Sequence, residues 1–142
     1  MAFHFTPSSG DSSRTAVSLD GAPGQQPILT IKYSGGATGC LNPIIEARIT
    51  QPKNDAWEDD NSAKTVNLSN NPIPLDKNLV GARYENLSIA NGAEVLDARV
   101  ILTPHNTQAS PSLDLNLTLE NSANSALFSS ASGSLSSRSK TS

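Results

Sequence analysis

Apolar and polar residues alternate in short bursts along the chain, which is the pattern of strands that bury one face. Residues 113–119 alternate most strictly, with four leucines separated by Asp114, Asn116 and Thr118. Turn-forming residues separate the bursts at intervals of roughly ten residues, which is typical of a β-sandwich or barrel. The predicted strands are 2–6, 15–20, 27–33, 44–50, 64–68, 79–87, 93–103 and 113–119. We therefore predict an all-β fold, an antiparallel β-sandwich.

Composition is consistent with one β domain. The chain has 142 residues, of which 36% are hydrophobic and only 16% charged, and Ser, Asn, Thr, Gly and Pro fill the difference. The net charge is −3 and the basic residues are scattered, whereas a nucleic-acid-binding surface needs a basic patch. No apolar run approaches the ~20 residues that span a bilayer. We predict neither nucleic-acid binding nor membrane insertion. The first residues also lack the pattern of a signal peptide, so we expect another export route or a fragment without its signal.

The single cysteine, Cys40, has no partner for a disulfide within the chain. It follows the glycine-rich stretch 35–39. It is either a small apolar residue with a free thiol, or one half of a bridge to another chain.

One stretch, 51–62, is polar and acidic, and we interpret it as a loop. Its carboxylates at Asp55, Glu58, Asp59 and Asp60 are of the type that binds Ca²⁺, which takes about six to eight oxygen ligands. The spacing differs from that of an EF-hand. The alternatives are a structural calcium site and a solvated acidic loop.

Trp57, the only tryptophan, lies in the same stretch. An exposed Trp57 could stack on a sugar ring, and a buried one would cover the end of the sandwich. The two histidines, His4 and His105, stand one in each half of the chain without evident catalytic or metal-binding partners, and no serine lies in a nucleophile-elbow motif. We therefore do not expect an enzyme.

Several segments resemble bacterial extracellular β-sandwich modules similar to the DNRLRE-type jelly-roll family. The segments are VGARY at 80–84, IANGAEVLDARVILT at 89–103, LNLTLENSANSALF at 115–128 and RSKT at 138–141. Asp59 and Asp60 match an acidic stretch near the start of such modules. The resemblance covers about 100 residues and implies a jelly-roll-like sandwich outside the cell or on its surface.

The first 36 residues resemble the end of such a module, on the segments RTAVSLDG at 14–21 and PILTIKY at 27–33. The resemblance therefore implies the last strands of a module at 1–36, a linker at 37–42 and the beginning of a module at 43–142. Within the latter, 129–142 is Ser-rich and we expect it to be flexible. The chain is then a piece of a tandem array, a permuted module that completes its own sheet, or a strand-incomplete module whose first strands complete a neighbour's sheet.

Two functions follow from these alternatives. The first is a non-catalytic structural or assembly module of a surface protein or filament, built by head-to-tail strand complementation. Its partners are then copies of itself or adjacent modules of the same protein. The second is a carbohydrate-binding module that holds a glycan at Trp57.

Overall fold

The structure is a computed structural model that describes residues 1–9, 14–35, 42–68, 71–76, 78–106 and 113–141. Within these ranges the chain forms ten strands and one short 3-10 helix, Pro52–Asn54. The strands are β1 (Ala2–Ser9), β2 (Thr15–Ala16), β3 (Ile28–Tyr33), β4 (Ile44–Arg48), β5 (Asp55–Glu58), β6 (Val66–Leu68), β7 (Ile73–Pro74), β8 (Leu79–Arg83), β9 (Val95–Ile101) and β10 (Asp114–Leu119). Cys40 and most of the predicted linker lie outside the described residues.

Two antiparallel sheets pack against each other, so the predicted all-β sandwich is confirmed. The larger sheet has five strands in the order β10-β1-β8-β5-β6, and the smaller has three in the order β4-β3-β9. A short pair, β2-β7, accompanies them.

The main core lies between the sheets and follows from the alternation in the strands. Phe3 and Phe5 of β1 and Leu29 and Ile31 of β3 point into it, one residue in two along each strand. The ring of Phe3 meets Tyr84 edge-on, with ring centroids 6.0 Å apart. The strict leucine alternation of β10 places Leu119 opposite Phe3 and Leu117 opposite Phe5.

The first 36 residues supply an interior strand of each sheet. In the larger sheet β1 lies between β10 and β8, and in the smaller sheet β3 lies between β4 and β9. Residues that the resemblance assigns to the end of one module therefore complete the same sandwich as residues 43–142, within one chain.

The second face of the five-stranded sheet is covered by the chain that follows β10. Phe128 and Leu135 are fully buried there against Ala2, Ala56 and Val66. Residues 139–141 then return to the end of β10, where the Thr141 N–H donates to the Leu119 carbonyl at 2.8 Å. The segment for which the composition predicts a flexible end is thus packed over its described residues, because two apolar side chains among many serines are enough to anchor it.

Arg138 holds this C-terminal segment (residues 121–141) in place. Its guanidinium lies 4.6 Å from the ring centroid of Phe128 and donates to the Glu120 carboxylate at 2.8 Å. It also donates to the carbonyls of Ala126 and Leu127, at 2.9 and 2.8 Å. Its Nε donates to the Ser134 carbonyl as well, at 3.3 Å, so one planar cation satisfies four acceptors and covers an aromatic face at once.

The stretch 51–62, which we interpreted as a loop, contains an internal strand. β5 lies between β8 and β6, with Trp57 opposite both Val80 and Asn67. The strand was missed because both faces of its sheet are covered, so its sequence shows no alternation of apolar and polar residues.

Candidate functional site

Asp55, the first residue of the predicted calcium stretch, points into the interior between the sheets. It lies opposite Ala82, and one carboxylate oxygen, Oδ2, accepts the Leu19 N–H at 2.7 Å. The other oxygen is buried without a hydrogen-bond partner among the described residues. Burial raises the pKa of Asp55 to about 6, and the negative charge of Asp20 acts in the same direction. The Leu19 hydrogen bond acts against the shift.

Glu58 is buried on the opposite face of the same sheet. Its Oε2 accepts the N–H groups of Leu135 and Ser136, at 2.9 and 3.0 Å. Glu58 lies three positions after Asp55, an odd offset, and side chains along a strand alternate between the two faces. The two carboxylates therefore cannot share an ion, and the role of Glu58 is to anchor the C-terminal segment.

The remaining two acids of the stretch follow the strand. The Asp59 N–H donates to the Thr65 carbonyl at 3.0 Å, and the Asp60 carboxylate accepts from the Lys64 ammonium at 3.2 Å. Across the described ranges, no group of three or more His, Cys, Asp or Glu side chains is placed to hold a metal ion. The four carboxylates proposed for Ca²⁺ are thus dispersed to two faces of a sheet and a turn.

Trp57 points to the interior face of β5. It is half-buried and packs against the main core, and its Nε1 is buried without a partner in the part of the chain that the structure describes. Of the two roles considered for Trp57, this position matches a cover over the core rather than a platform for a sugar ring.

His4 is fully buried beneath the C-terminal segment. Its ring meets Phe128 edge-on, with centroids 6.2 Å apart, and its Nε2 lies 3.9 Å from the Glu120 carboxylate. Burial lowers the pKa of His4 to about 4, the positive charges of Lys140 and Arg138 act in the same direction, and Glu120 opposes them. His4 is therefore a neutral packing residue at neutral pH.

The exposed apolar side chains are concentrated on the outer strands of the sheets. Of the six large hydrophobic side chains that the structure describes as exposed, five belong to edge strands. They are Ile44 (65% exposed) on β4, Val95 (50%), Leu96 (46%) and Ile101 (51%) on β9, and Leu117 (50%) on β10. On their outer sides β4 and β9 pair with no other strand of the described chain.

Each of the two edge strands of the smaller sheet also carries an ion pair between residues two apart. Glu46 and Arg48 meet at 2.8 Å on β4, and Asp97 and Arg99 meet at 2.9 Å on β9. All four side chains lie on the face of the sheet away from the core, since they flank the outward residues Ile28, Thr30 and Lys32 of β3. Thr30 has Glu46 on one side and Arg99 on the other.

Sequence reasoning missed this similarity between β4 and β9. The signal was present, because the two predicted strands contain IEARI at 45–49 and LDARV at 96–100. Only the pairing of both strands with β3 shows that these segments are the two edges of one sheet.

Within the described ranges, no helix has the length and apolar character needed to cross a membrane. Comparisons with family models, with curated proteins and with solved structures found no match to this chain. The resemblance to DNRLRE-type modules therefore stays a prediction from the sequence, and the fold rests on the structure.

Proposed function

We propose that this chain is a non-catalytic structural module that assembles with copies of itself, or with adjacent modules of the same protein, through its sheet edges. The observation that carries this proposal is the concentration of exposed apolar side chains on the edge strands β4, β9 and β10. An edge strand presents unpaired N–H and C=O groups, and apolar side chains beside them make it a template for another strand. The extracellular or cell-surface setting follows from the sequence resemblance.

Edge pairing is a simpler route to assembly than donation of a strand. Head-to-tail complementation by the first residues would require β1 or β3 to leave its interior position between two strands of its own sheet. Each makes two antiparallel pairings that would have to be broken and rebuilt in the neighbour. Pairing of two edges adds main-chain hydrogen bonds and breaks no main-chain hydrogen bond of either copy.

The inner face at the edges also supports association. Leu117 points toward the core, opposite Phe5, yet it is half exposed while Phe5 is buried. Ala98 is exposed although its neighbour across the pair, Ile31, is buried. The opposing layer thus leaves these edges uncovered, which is the state expected of surfaces that a further strand would cover.

The alternative, a carbohydrate-binding module, rested on an exposed Trp57. Trp57 packs against the main core, so the exposed tryptophan that this alternative requires is not observed. No other observation on the described residues favours glycan binding.

Sedimentation velocity over a concentration series, up to millimolar protein, tests the proposal. We expect the weight-average mass to rise with concentration, and electron microscopy of the concentrated sample to show ordered assemblies. A strict monomer throughout that range would refute the assembly of this chain with copies of itself.

A further inference from the structure

The two edges of the three-stranded sheet carry one sequence pattern. It consists of an apolar residue, an acid, alanine, arginine and a second apolar residue, centred on Ala47 in β4 and on Ala98 in β9. When such a segment is reversed, the acid and the arginine exchange places. Two copies of the segment are therefore complementary in charge when they run antiparallel.

Resting on the proposed self-association, we infer that β4 and β9 each pair antiparallel with the same strand of a second copy, about a two-fold axis at the alanine. In the β9 contact, Ala98 lies opposite Ala98 of the second copy. Asp97 of each copy lies opposite Arg99 of the other. In the β4 contact, Ala47 takes the central place and Glu46 lies opposite Arg48. Each contact is isologous, with the same surface on both sides.

The charges select this register over its neighbours. A shift of the axis by one residue, to Asp97 or to Arg99, places like charges directly opposite each other, which is destabilising in an antiparallel pair. A register with an odd offset pairs core-facing residues with solvent-facing residues, because side chains alternate along a strand. Among these neighbouring registers, only the one centred on alanine matches both charge and face.

The surroundings of β9 fit the contact. Ala98 is small and exposed on the core-facing side, so the opposite sheet does not cover this edge and leaves room for a second copy. Asp97 and Arg99 are exposed on the other face, with side-chain exposures of 44% and 73%. The irregularity in the pairing of β3 with β9 falls between Lys32 and Tyr33, beside Leu96, so regular edge geometry begins at Asp97.

The ion pairs set the register, and other groups supply most of the affinity. Each acid is already paired along its own strand, and an exposed ion pair is worth only about 0–1 kcal/mol. Exchanging these partners across the interface therefore changes the free energy little. The new main-chain hydrogen bonds and the burial of Ile44, Val95 and Ile101 favour association.

The two contacts together produce an open assembly. An isologous contact alone closes at a dimer, but β4 and β9 are opposite edges of one sheet. Copies joined alternately through β9 and through β4 form a continuous antiparallel sheet without an end. The partner of this chain is then a second copy at each edge, and the product is a filament with two alternating interfaces.

Charge reversal at each edge separates the two interfaces. In the β9 contact, R99D places the new carboxylate opposite Asp97 of the second copy. In the β4 contact, E46R places the new guanidinium opposite Arg48 of the second copy. We expect each single variant to stop at a dimer, with a mass twice that of the chain, and the R99D/E46R double variant to be a monomer. The controls K64D and D60R change the net charge by the same amounts in the turn between β5 and β6, and we expect both to assemble as the wild type does.

A mixing experiment tests the register itself, in the E46R background to leave only β9 available. D97R gives a strand with two positive charges and R99D one with two negative charges, so neither pairs with itself. We expect each alone to be monomeric and an equimolar mixture to form 1:1 dimers by native mass spectrometry. The inference would be overturned if the mixture stayed monomeric, or if the single variants assembled like the wild type. Neither result would contradict self-association as such. A monomeric wild type would overturn both.

Discussion

The ring of Phe128 lies directly over Gly81, so that a Cβ added at this glycine would come within 2.6 Å of the ring carbon Cζ. The Phe128 ring and the C-terminal segment can pack against β8 only because residue 81 has no side chain. We expect Gly81→Ala to lower the free energy of unfolding by about 1–3 kcal/mol, the usual range for overpacking. Urea denaturation measures this change.

Removal of ring atoms should relieve that clash. In the Gly81→Ala/Phe128→Leu double variant, the loss of stability should be smaller than the sum of the two single losses, because the residues are in contact. Strictly additive losses would contradict the packing.

Arg138 should contribute more to stability than an exposed basic residue. Arg138→Ala removes the hydrogen bonds to Glu120 and to the carbonyls of Ala126, Leu127 and Ser134, and we expect a loss of roughly 2–4 kcal/mol in the free energy of unfolding. Arg138→Lys keeps the charge but cannot reproduce the planar geometry, so it should recover less than half of the loss. Lys64→Ala, on the surface, is the control and should change stability by less than about 0.5 kcal/mol. Equal effects of the Arg138→Ala and Lys64→Ala variants would contradict the proposed anchoring.

His4 and Asp55 should give opposite contributions to the pH dependence of stability. The pKa of His4 falls from 6.5 to about 4 on folding, so its contribution is lost as the pH falls through this window. The pKa of Asp55 rises from 3.8 to about 6, so its contribution is lost as the pH rises through nearly the same window. Each slope is at most about 1.4 kcal/mol per pH unit, and the two oppose each other.

Variants at the two positions should separate these slopes. With Asp55→Asn, the free energy of unfolding should rise more steeply with pH between about 4 and 6 than in the wild type, because only the His4 contribution remains. With His4→Gln it should rise less steeply or fall. Urea denaturation at several pH values measures the slopes, and Asp60→Asn, in the exposed turn, is the control. If both variants kept the slope of the wild type, the burial assigned to these groups would be wrong.

Calcium should leave the stability of the fold unchanged. Asp55 and Glu58 lie on opposite faces of the sheet, and Asp60 is paired with Lys64. We therefore expect the same Tm with Ca²⁺ and with a chelator in differential scanning fluorimetry. A rise in Tm with Ca²⁺ and not with Mg²⁺ would show that the acidic stretch does bind the ion.

The sequence predicted strands best where one face of the strand is exposed to solvent. The leucines of β10 and the apolar positions of β3 alternate clearly, and both strands were predicted near their observed bounds. It was least informative around β5, because a strand with both faces covered shows no such alternation. Nothing in the composition of 129–141 indicates that Leu135 is fully buried, since that depends on the sheet face to which β1, β5 and β6 contribute Ala2, Ala56 and Val66.

The candidate site, like the fold, could be predicted from the sequence only in part. Composition and spacing identified the acidic residues but could not tell which face each occupies, because the strand that separates Asp55 from Glu58 was not predicted. The edge pattern was visible in the sequence, but its meaning depends on the order of strands in the sheet.

The position of β1 between β10 and β8 has a consequence for biosynthesis. Phe3 pairs with Leu119 and with Ala82, and the Met1 amino group donates to the Tyr84 carbonyl. β1 therefore leaves the ribosome well before β8 and β10, and it has to wait for both of them before its pairings can form. Such non-local pairings give a high contact order and slow folding. During that interval Phe3 and Phe5 are exposed to chaperones and to neighbouring nascent chains, so the rate of translation and the supply of chaperones should affect the yield of this protein more than that of a helical domain of similar size.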